Sequence, residues 1–251
     1  MTLRRDQPIF ELGLKCHVWG RRALILAGEA EAIAERHRVT VLLTPQAIDL
    51  VLLAPRLRHV LLLVPHLDPV TPGAGSGAFL AEAAREAGAA GALLNHAERR
   101  LALSDIAGAI RRAKEVGLFA VVCADSPDQA TAIAQLAPEL ILAEPPDLIG
   151  GNRSVAAVRS DFIAETLARV RAVNPSIGVL NSAGIRTPED AAAVIEAGAD
   201  GTGTTSGVVK AADPPGMLGA MAAAVEATFV RRSSGHRAQE PIEFSPQKPR
   251  P

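Results

Sequence analysis

The stretch from Ile141 to Gly151 combines an isolated carboxylate with backbone that can bend around a ligand. An apolar run ends in Glu144, and the two prolines that follow disfavour helix and stiffen the exit from a strand. The pair Gly150-Gly151 then supplies backbone that can approach a ligand closely. This pattern is typical of a general base at the end of a strand, followed by a loop that closes over a small anion. A plain strand, turn and surface loop is the alternative interpretation of this stretch alone.

Three further ionisable residues stand where apolar runs end. Lys15 closes the first run, where its cation would face a substrate, although a lysine that simply reaches water is the alternative. His96 follows the fourth run, and we expect a short helix to begin there, whose dipole would keep the imidazole neutral. We expect Glu98 to hold Lys15 by an ion pair. A carboxylate base, a neutral imidazole and an ammonium group suit proton transfer beside a carbonyl group.

Short apolar runs alternate along the chain with longer segments of helical period, which indicates repeated βα units on a parallel sheet. The predicted strands are Ile9 to Cys16, Val39 to Pro45, His59 to Pro65, Ala89 to His96, Leu118 to Ala124, Leu140 to Pro145, Ile177 to Ala183 and Gly201 to Ser206. The predicted helices are Arg21 to Arg36, Gln46 to Leu53, Gly77 to Ala87, Ser104 to Val116, Pro127 to Leu136, Asp161 to Val173, Pro188 to Ala197 and Pro214 to Val230. This alternation predicts a single-domain α/β fold, a closed (β/α)8 barrel. An open doubly wound sheet is the competing architecture, but the first strand lacks its Gly-x-Gly-x-x-Gly motif.

Composition narrows the class of protein. Hydrophobic residues make up 48% of the 251 residues, aromatic residues only 3%, and the net charge is -1, which provides no field to gather nucleic acid or an anionic membrane. Cys16 and Cys123 both fall in predicted strands, and with no export signal we expect free thiols and a cytoplasmic location. We predict a barrel domain over residues 1–232. The polar, Pro-containing segment from Ser233 to Pro251 is predicted to be a disordered tail.

Several short motifs together resemble the triose-phosphate isomerase family, in particular its shorter archaeal type. The matching stretches are Leu42-Leu-Thr-Pro-Gln46, His66-Leu-Asp-Pro-Val-Thr-Pro-Gly73, Leu94-Asn-His-Ala-Glu-Arg99, Val122-Cys123, Ala143-Glu-Pro-Pro-Asp-Leu-Ile-Gly150 and Ala183-Gly-Ile-Arg-Thr-Pro-Glu-Asp190. They occur in the family's order and cover roughly Ile9 to Val230. The resemblance implies that Glu144 is the catalytic base, His96 the electrophile and Lys15 the electrostatic clamp, with Glu98 holding the lysine.

By the same resemblance, the substrate is a small phosphorylated sugar, converted between its ketose and aldose forms through an enediolate. The family combines a glutamate base, a neutral histidine and a loop that closes over the substrate, and the resemblance extends these roles to this chain. The implied phosphate-binding residues are Ile149, Gly150, Gly151, Ser182, Ala183, Gly184, Ser206 and Gly207. The implied chemistry needs no cofactor and no metal. The family's contacts between subunits imply a homodimer or homotetramer.

The match departs from the family at substrate-contacting positions. Gly13 stands where the family has Asn, and Ala97 replaces a Ser after the histidine. In the loop, Gly151 and Asn152 stand where the family usually has Thr and then Gly. Ser182 stands in place of a Gly, and Pro65 in place of a Gln. Since the base, electrophile and cation are retained, two alternatives stay open. One is an isomerase for a four-carbon ketose phosphate of the erythrulose phosphate type; the other is a non-catalytic phosphosugar-binding paralogue.

Overall fold

The structure is a computed structural model that describes residues 3–4, 6–151 and 153–234. The strands of this part of the chain form a closed barrel in which each strand pairs with the next and the last pairs with the first. All of these pairings are parallel. The strands are Ile9–Gly13 (β1), Thr40–Thr44 (β2), Leu61–Val64 (β3), Gly91–Leu94 (β4), Phe119–Ala124 (β5), Leu140–Ala143 (β6), Gly178–Asn181 (β7) and Gly201–Thr204 (β8). The predicted (β/α)8 barrel is therefore confirmed.

Helices connect the strands and cover the outside of the barrel. They are Gly20–Arg36 (α1), Leu50–Leu53 (α2), Ala81–Glu86 (α3), Leu103–Glu115 (α4), Pro127–Ala134 (α5), Val155–Val158 (α6), Ser160–Val173 (α7), Pro188–Glu196 (α8), Ser206–Val209 (α9) and Pro214–Ser234 (α10). Local sequence sets several starts. The Ser126 side chain caps α5, and Thr187 and Asp190 form a capping box that begins α8.

Strand residues alternate between two hydrophobic clusters. In β1, Phe10 and Leu12 pack into the larger cluster, between the strands and the helices. Ile9 packs into a smaller cluster, with residues such as Leu42 and Leu142 from other strands, that fills the barrel interior. Because side chains on a strand alternate with a period of two, this pattern assigns each residue near a strand end to one face. Side chains in phase with the smaller cluster point into the barrel, and those at the carboxyl ends of the strands lie at its mouth.

Apart from β5, which ends at Ala124 as predicted, the strands are shorter at their carboxyl ends than the sequence predicted. β1 ends at Gly13, so Lys15 and Cys16 lie in a turn, and Cys16 is exposed; its placement in a strand was wrong. Cys123 does lie in β5 and is buried, and neither cysteine forms a disulfide. The apolar runs overstate the strands because residues beyond the end of a strand can still be buried, as Leu14 is.

Two helix predictions also change. The segment 77–80 is not helical, because the Asp68 side chain accepts the backbone N–H of Phe79 at 2.7 Å and keeps this segment in the loop before α3. The predicted helix from Gln46 to Leu53 is present as one continuous helical segment, in which 3-10 turns at Ala47–Asp49 and Ala54–Arg56 flank α2.

The last described helix, α10, continues to Ser234, beyond its predicted end at Val230. Ser233 and Ser234, the first two residues of the predicted tail, are therefore helical. The rest of that tail, residues 235–251, lies outside the described residues, as does Asn152 in the loop after β6. Within the described ranges, no helix is long and apolar enough to cross a membrane.

Candidate active site

A cavity of about 430 Å³ opens at the carboxyl ends of the strands, where the residues predicted to do chemistry converge. The predicted site residues on its wall are Lys15, His96, Glu98, Glu144, Ile149, Gly150, Ser182, Ala183, Gly184 and Ser206. Gly151 and Gly207 are not on the wall. The N–H of Gly151 donates to the carbonyl of Leu148 at 3.0 Å, and that of Gly207 to the Thr204 hydroxyl at 3.1 Å, so both donors are already used.

Lys15 is positioned by a strained turn. Its φ is +47°, in the left-handed region that few residues other than glycine adopt, and such strain persists only where neighbouring contacts hold it. Gln46 supplies one of these contacts, because its amide donates to the Lys15 carbonyl oxygen at 2.6 Å. The side chain then reaches across the cavity, and its Nζ donates to Glu98 Oε1 at 2.9 Å. The ion pair expected between Lys15 and Glu98 is present.

The turn after β4 positions His96, and it replaces the helix start that we expected there. The backbone N–H of Glu98 donates to His96 Nδ1 at 3.1 Å, and that of Arg99 donates to the His96 carbonyl at 2.8 Å. A helix begins only at Leu103, so the dipole argument for a neutral ring was wrong. The ring is held neutral in another way: Nδ1 accepts a hydrogen bond, and burial and the positive charge of Lys15 lower the pKa of His96.

Asn95 also positions this turn, and sequence reasoning missed it. Its φ is +59°, its side-chain amide donates to the Cys123 carbonyl at 3.0 Å, and its Oδ1 accepts the N–H of Leu101 at 3.0 Å. These bonds fix the chain on both sides of His96. The left-handed φ could have been suspected, since asparagine tolerates this conformation better than most residues.

Glu144 follows the last residue of β6 and points inward, in phase with Leu140 and Leu142. Only 12% of its side chain is exposed, and its Oε2 lies 3.9 Å from His96 Nε2. That distance is too long for a hydrogen bond, so the Nε2 proton of His96 stays available for another acceptor. Burial raises the pKa of Glu144 to about 7, although the charge of Lys15 acts in the opposite direction.

A second carboxyl group, Glu11 on β1, lines the same cavity, and sequence reasoning missed it. The residue is only 5% exposed, and burial raises its pKa to about 7, with the hydrogen bond from Thr44 opposing the shift. A signal was present in the sequence, since Glu11 is the only charged residue in the run Ile9-Phe-Glu-Leu-Gly13 and has the inward phase of Ile9.

The loops after β6 and β7 pack directly on one another beside this cavity. Gly184 has φ +74°, and a Cβ there would overlap the carbonyl oxygen of Arg153. The N–H of Val155 donates to the Ala183 carbonyl at 3.0 Å. Within the described residues, the backbone N–H groups of Gly150 and Gly184 make no hydrogen bond, and the buried Ser182 hydroxyl has no partner. This edge of the cavity therefore offers several free donors.

The cavity holds acids, an imidazole and an ammonium group, but the described residues include no group of side chains arranged to bind a metal ion. His66 orders the loop after β3, because its Nε2 lies 3.1 Å from Asp68 Oδ1 and its ring meets Phe79 edge-on. Fold and site together define a (β/α)8 barrel built for proton transfer at a carbon beside a carbonyl group, with free donors for an anion.

Comparison with known proteins identifies the family. A model of the family described as triosephosphate isomerase matches residues 14–225. The chain is 34% identical over 210 residues to the triosephosphate isomerase of Methanothermus fervidus, covering 83% of this chain and 94% of that protein. It is 37% identical over 212 residues to that of Methanothermobacter thermautotrophicus, covering 84% and 92%, and 37% identical over 217 residues to that of Methanoculleus marisnigri, covering 85% and 96%. The chain belongs to the triosephosphate isomerase family, and these relatives agree with the archaeal type that the motifs predicted.

Gly184→Ala should damage the anion-binding edge of the cavity, because alanine disfavours a φ of +74° and its Cβ would displace the Arg153 backbone. We expect a loss of about 1–3 kcal/mol in the free energy of unfolding and a rise in KM of at least about tenfold, since Gly184 is among the residues predicted to bind the phosphate. Urea unfolding and steady-state kinetics measure the two effects.

Gly198→Ala is the matched control, since Gly198 also has a positive φ, +101°, but does not line the cavity. It should lower stability and leave KM unchanged. An equal rise of KM in both variants would contradict the role of Gly184 at the cavity edge.

The raised pKa of Glu11 predicts a specific pH dependence of stability. A carboxyl whose pKa is about 7 when folded and 4.5 when unfolded binds protons more tightly in the folded state. Its contribution to stability is therefore full below pH 4.5 and is lost as the pH rises through 7. Glu11→Gln removes this dependence, so the variant should gain stability relative to wild type between pH 5 and pH 8, by up to about 3 kcal/mol.

Glu98→Gln is the control for this titration. Partial burial acts to raise the pKa of Glu98, but the hydrogen bond from Lys15 lowers it, and the net pKa lies below its ordinary value. Glu98 therefore stays ionised throughout the range from pH 5 to pH 8. Its stability difference from wild type should stay constant there. Urea unfolding at several pH values measures both differences, and a constant difference for Glu11→Gln would refute the raised pKa.

Proposed function

We propose that this chain interconverts dihydroxyacetone phosphate and glyceraldehyde 3-phosphate by proton transfer through an enediolate. One observation carries the proposal: the Glu144 carboxylate, the His96 imidazole and the Lys15 ammonium group line one cavity at the carboxyl ends of the strands. Membership of the triosephosphate isomerase family supports the reaction. The comparisons give no support to the four-carbon substrate or to a non-catalytic paralogue.

Glu144 is the proposed base that removes the proton from the carbon beside the carbonyl group and returns it to the neighbouring carbon. A base works best when its pKa lies close to the pH at which it operates, because it must both accept and release the proton. Burial raises the pKa of Glu144 to about 7, which satisfies this condition near neutral pH.

His96 and Lys15 are the proposed stabilisers of the substrate's two oxygens. Because Nδ1 of His96 accepts the N–H of Glu98, the ring proton resides on Nε2, on the side of Glu144. A neutral Nε2–H can donate to the carbonyl oxygen and pass a proton between the two oxygens of the enediolate. The Lys15 ammonium group then offsets the negative charge that develops on these oxygens, and Glu98 holds it in position.

The phosphate is proposed to lie at the edge formed by the loops after β6, β7 and β8. The free N–H groups of Gly150 and Gly184 and the Ser182 hydroxyl supply donors there. Ile149, Ala183 and Ser206 complete this wall. The N–H of Gly151 would bind the phosphate only in a closed form of the loop after β6, in which it no longer donates to the Leu148 carbonyl. Closure would also shield the enediolate phosphate from water.

Glu144→Gln should lower kcat by at least about 1,000-fold, because the amide cannot act as a base. Purified wild-type protein with dihydroxyacetone phosphate in deuterated water should incorporate deuterium and form the aldehyde, as followed by proton NMR. The variant should do neither, yet 2-phosphoglycolate should still raise its melting temperature, because the phosphate-binding loops are unchanged.

Unchanged turnover in Glu144→Gln would remove Glu144 from its role as the base. A wild type that binds 2-phosphoglycolate but shows no exchange with dihydroxyacetone phosphate would contradict the reaction itself.

We also propose that the chain forms a homodimer or homotetramer in the cytoplasm. Trp19, Ile48 and Val51 are 60%, 83% and 65% exposed. The turns that carry Trp19 and Ile48 are joined, since the N–H of Gly20 donates to Asp49 Oδ2 at 2.9 Å. We infer that these three side chains form one apolar patch near the cavity, whose wall includes the neighbouring Ala47, and that a second copy of the chain covers this patch. Free thiols at Cys16 and Cys123 agree with a reducing compartment.

Ile48→Glu should weaken this assembly, because it places a charge in the centre of the apolar patch. Light scattering coupled to size exclusion should show an oligomer for wild type and a shift toward monomer for the variant. Val230→Glu is the control, since Val230 is 51% exposed on α10, outside the patch. A monomeric wild type, or an unchanged mass for Ile48→Glu, would contradict the proposal.

A further inference from the structure

Glu11 has no role in the proposed reaction, yet it is a buried carboxyl group on the wall of the cavity. It lies on β1 in the phase that points into the barrel, two residues before Gly13. Its neighbour on β8 is Gly203, where a Cβ would come within 2.9 Å of the Glu11 Cβ. A glycine beside it therefore leaves the space that the Glu11 side chain needs inside the barrel.

The two oxygens of Glu11 have different surroundings. Oε1 accepts a hydrogen bond from the Thr44 hydroxyl at 2.6 Å. Oε2 receives no hydrogen bond from any residue in the described ranges. A carboxyl group held at one oxygen and free at the other can carry a proton on the free oxygen and donate it into the cavity.

Gly13 makes room for this arrangement. A Cβ at Gly13 would lie 3.4 Å and 3.7 Å from the two oxygens of Glu11 and 2.9 Å from the Thr205 hydroxyl. A side chain at position 13 would press on the Thr205 hydroxyl and would make ordinary contacts with the Glu11 carboxyl group. The glycine therefore leaves the space beside this carboxyl group open to the cavity.

Charge in the cavity favours the neutral form of Glu11. The groups that face it are Thr44 from β2, Thr205 after β8, Glu144 after β6, Cys123 from β5 and Lys15 after β1. Lys15 is the only cation in this set, and its ammonium group is already bonded to Glu98. Burial first and then the charge of Glu144 raise the pKa of Glu11 to about 7. A bound phosphate and an enediolate would add negative charge and retain the proton more strongly.

We propose that Glu11 is a further catalytic residue of this site, which in its protonated form donates a hydrogen bond from Oε2 to an oxygen of the sugar phosphate. This inference rests on the proposed function, since it assigns Glu11 to the same substrate. The donor stabilises charge that develops on the oxygen and takes the part that a neutral amide could play from position 13. An ionised Glu11 would instead repel the enediolate.

The proposal gives the two buried carboxyl groups opposite requirements. Glu144 must be ionised to act as a base, whereas Glu11 must be protonated to act as a donor. Wild-type kcat/KM should therefore fall on the alkaline side as Glu11 loses its proton. Glu11→Gln keeps a neutral donor of the same shape, so it should retain activity within about tenfold and lose this alkaline fall. Glu11→Leu keeps the volume but no donor, and its kcat/KM should be roughly 10- to 100-fold lower.

The experiment compares kcat/KM from pH 5.5 to pH 9.5 for wild type and the variants, with the same substrate, so that titration of the substrate's phosphate cancels. Glu139→Gln is the control, because its carboxyl accepts the N–H of Ala120 at the opposite end of the strands and does not line the cavity. Its profile should match that of wild type. Thr44→Val removes the hydrogen bond that lowers the pKa of Glu11 and should move the alkaline fall to higher pH. This second variant tests the proposal even if Glu11→Gln folds poorly.

A readout that does not need turnover separates this inference from the proposed function. Calorimetry of 2-phosphoglycolate binding at pH 8 in buffers of different ionisation enthalpy counts the protons taken up. Wild type should take up about one more proton than Glu11→Gln, because the bound anion stabilises the protonated form. Equal proton uptake, or an alkaline limb unchanged in Glu11→Gln, would overturn the role of Glu11. Absence of exchange by wild type would overturn the reaction and leave the proton count as the test of Glu11.

Discussion

The arrangement of the cavity depends on the ammonium group of Lys15, which lies among three carboxyl groups, two of them largely buried. Lys15 is bonded to Glu98, which is 62% exposed, while Glu144 and Glu11 lie deeper and have no cation of their own. In a poorly solvated site, an unpaired carboxylate is costly, so both buried acids hold their protons more tightly than in water. Burial is therefore the first cause of the raised pKa of Glu144, and the charge of Lys15 opposes the shift.

Strained turns of the backbone position the side chains of this cavity. Lys15 and Asn95 both adopt left-handed conformations directly after strands, and side-chain amides hold each turn in place. Glu98, in the turn after β4, has two functions. Its backbone N–H fixes the tautomer of His96, and its side chain holds Lys15. His96 and Lys15 are therefore positioned by the same few residues, and moving one of them would disturb the other.

Three of the departures from the family, Gly13, Pro65 and Ser182, line the same cavity. Gly13 opens space that Glu11 and Thr205 fill, and Ser182 brings a buried hydroxyl with no partner in the described part of the chain. Ala97 removes a hydroxyl next to His96. Glu144, His96 and Lys15 line the same cavity. The departures therefore change the groups around these three side chains and leave the three side chains in place.

The sequence by itself determined the barrel, because the alternation of apolar runs and helical segments is a local property of the chain. It also indicated Lys15, His96, Glu98 and Glu144, since each stands where an apolar run ends. Only the tertiary structure decided what surrounds them. That the His96 ring is held by a turn, that the donors of Gly151 and Gly207 are used internally, and that Glu11 meets Thr44 all depend on contacts between segments distant in sequence. Burial and charge at a site are sums over such contacts, and no single stretch of chain contains them.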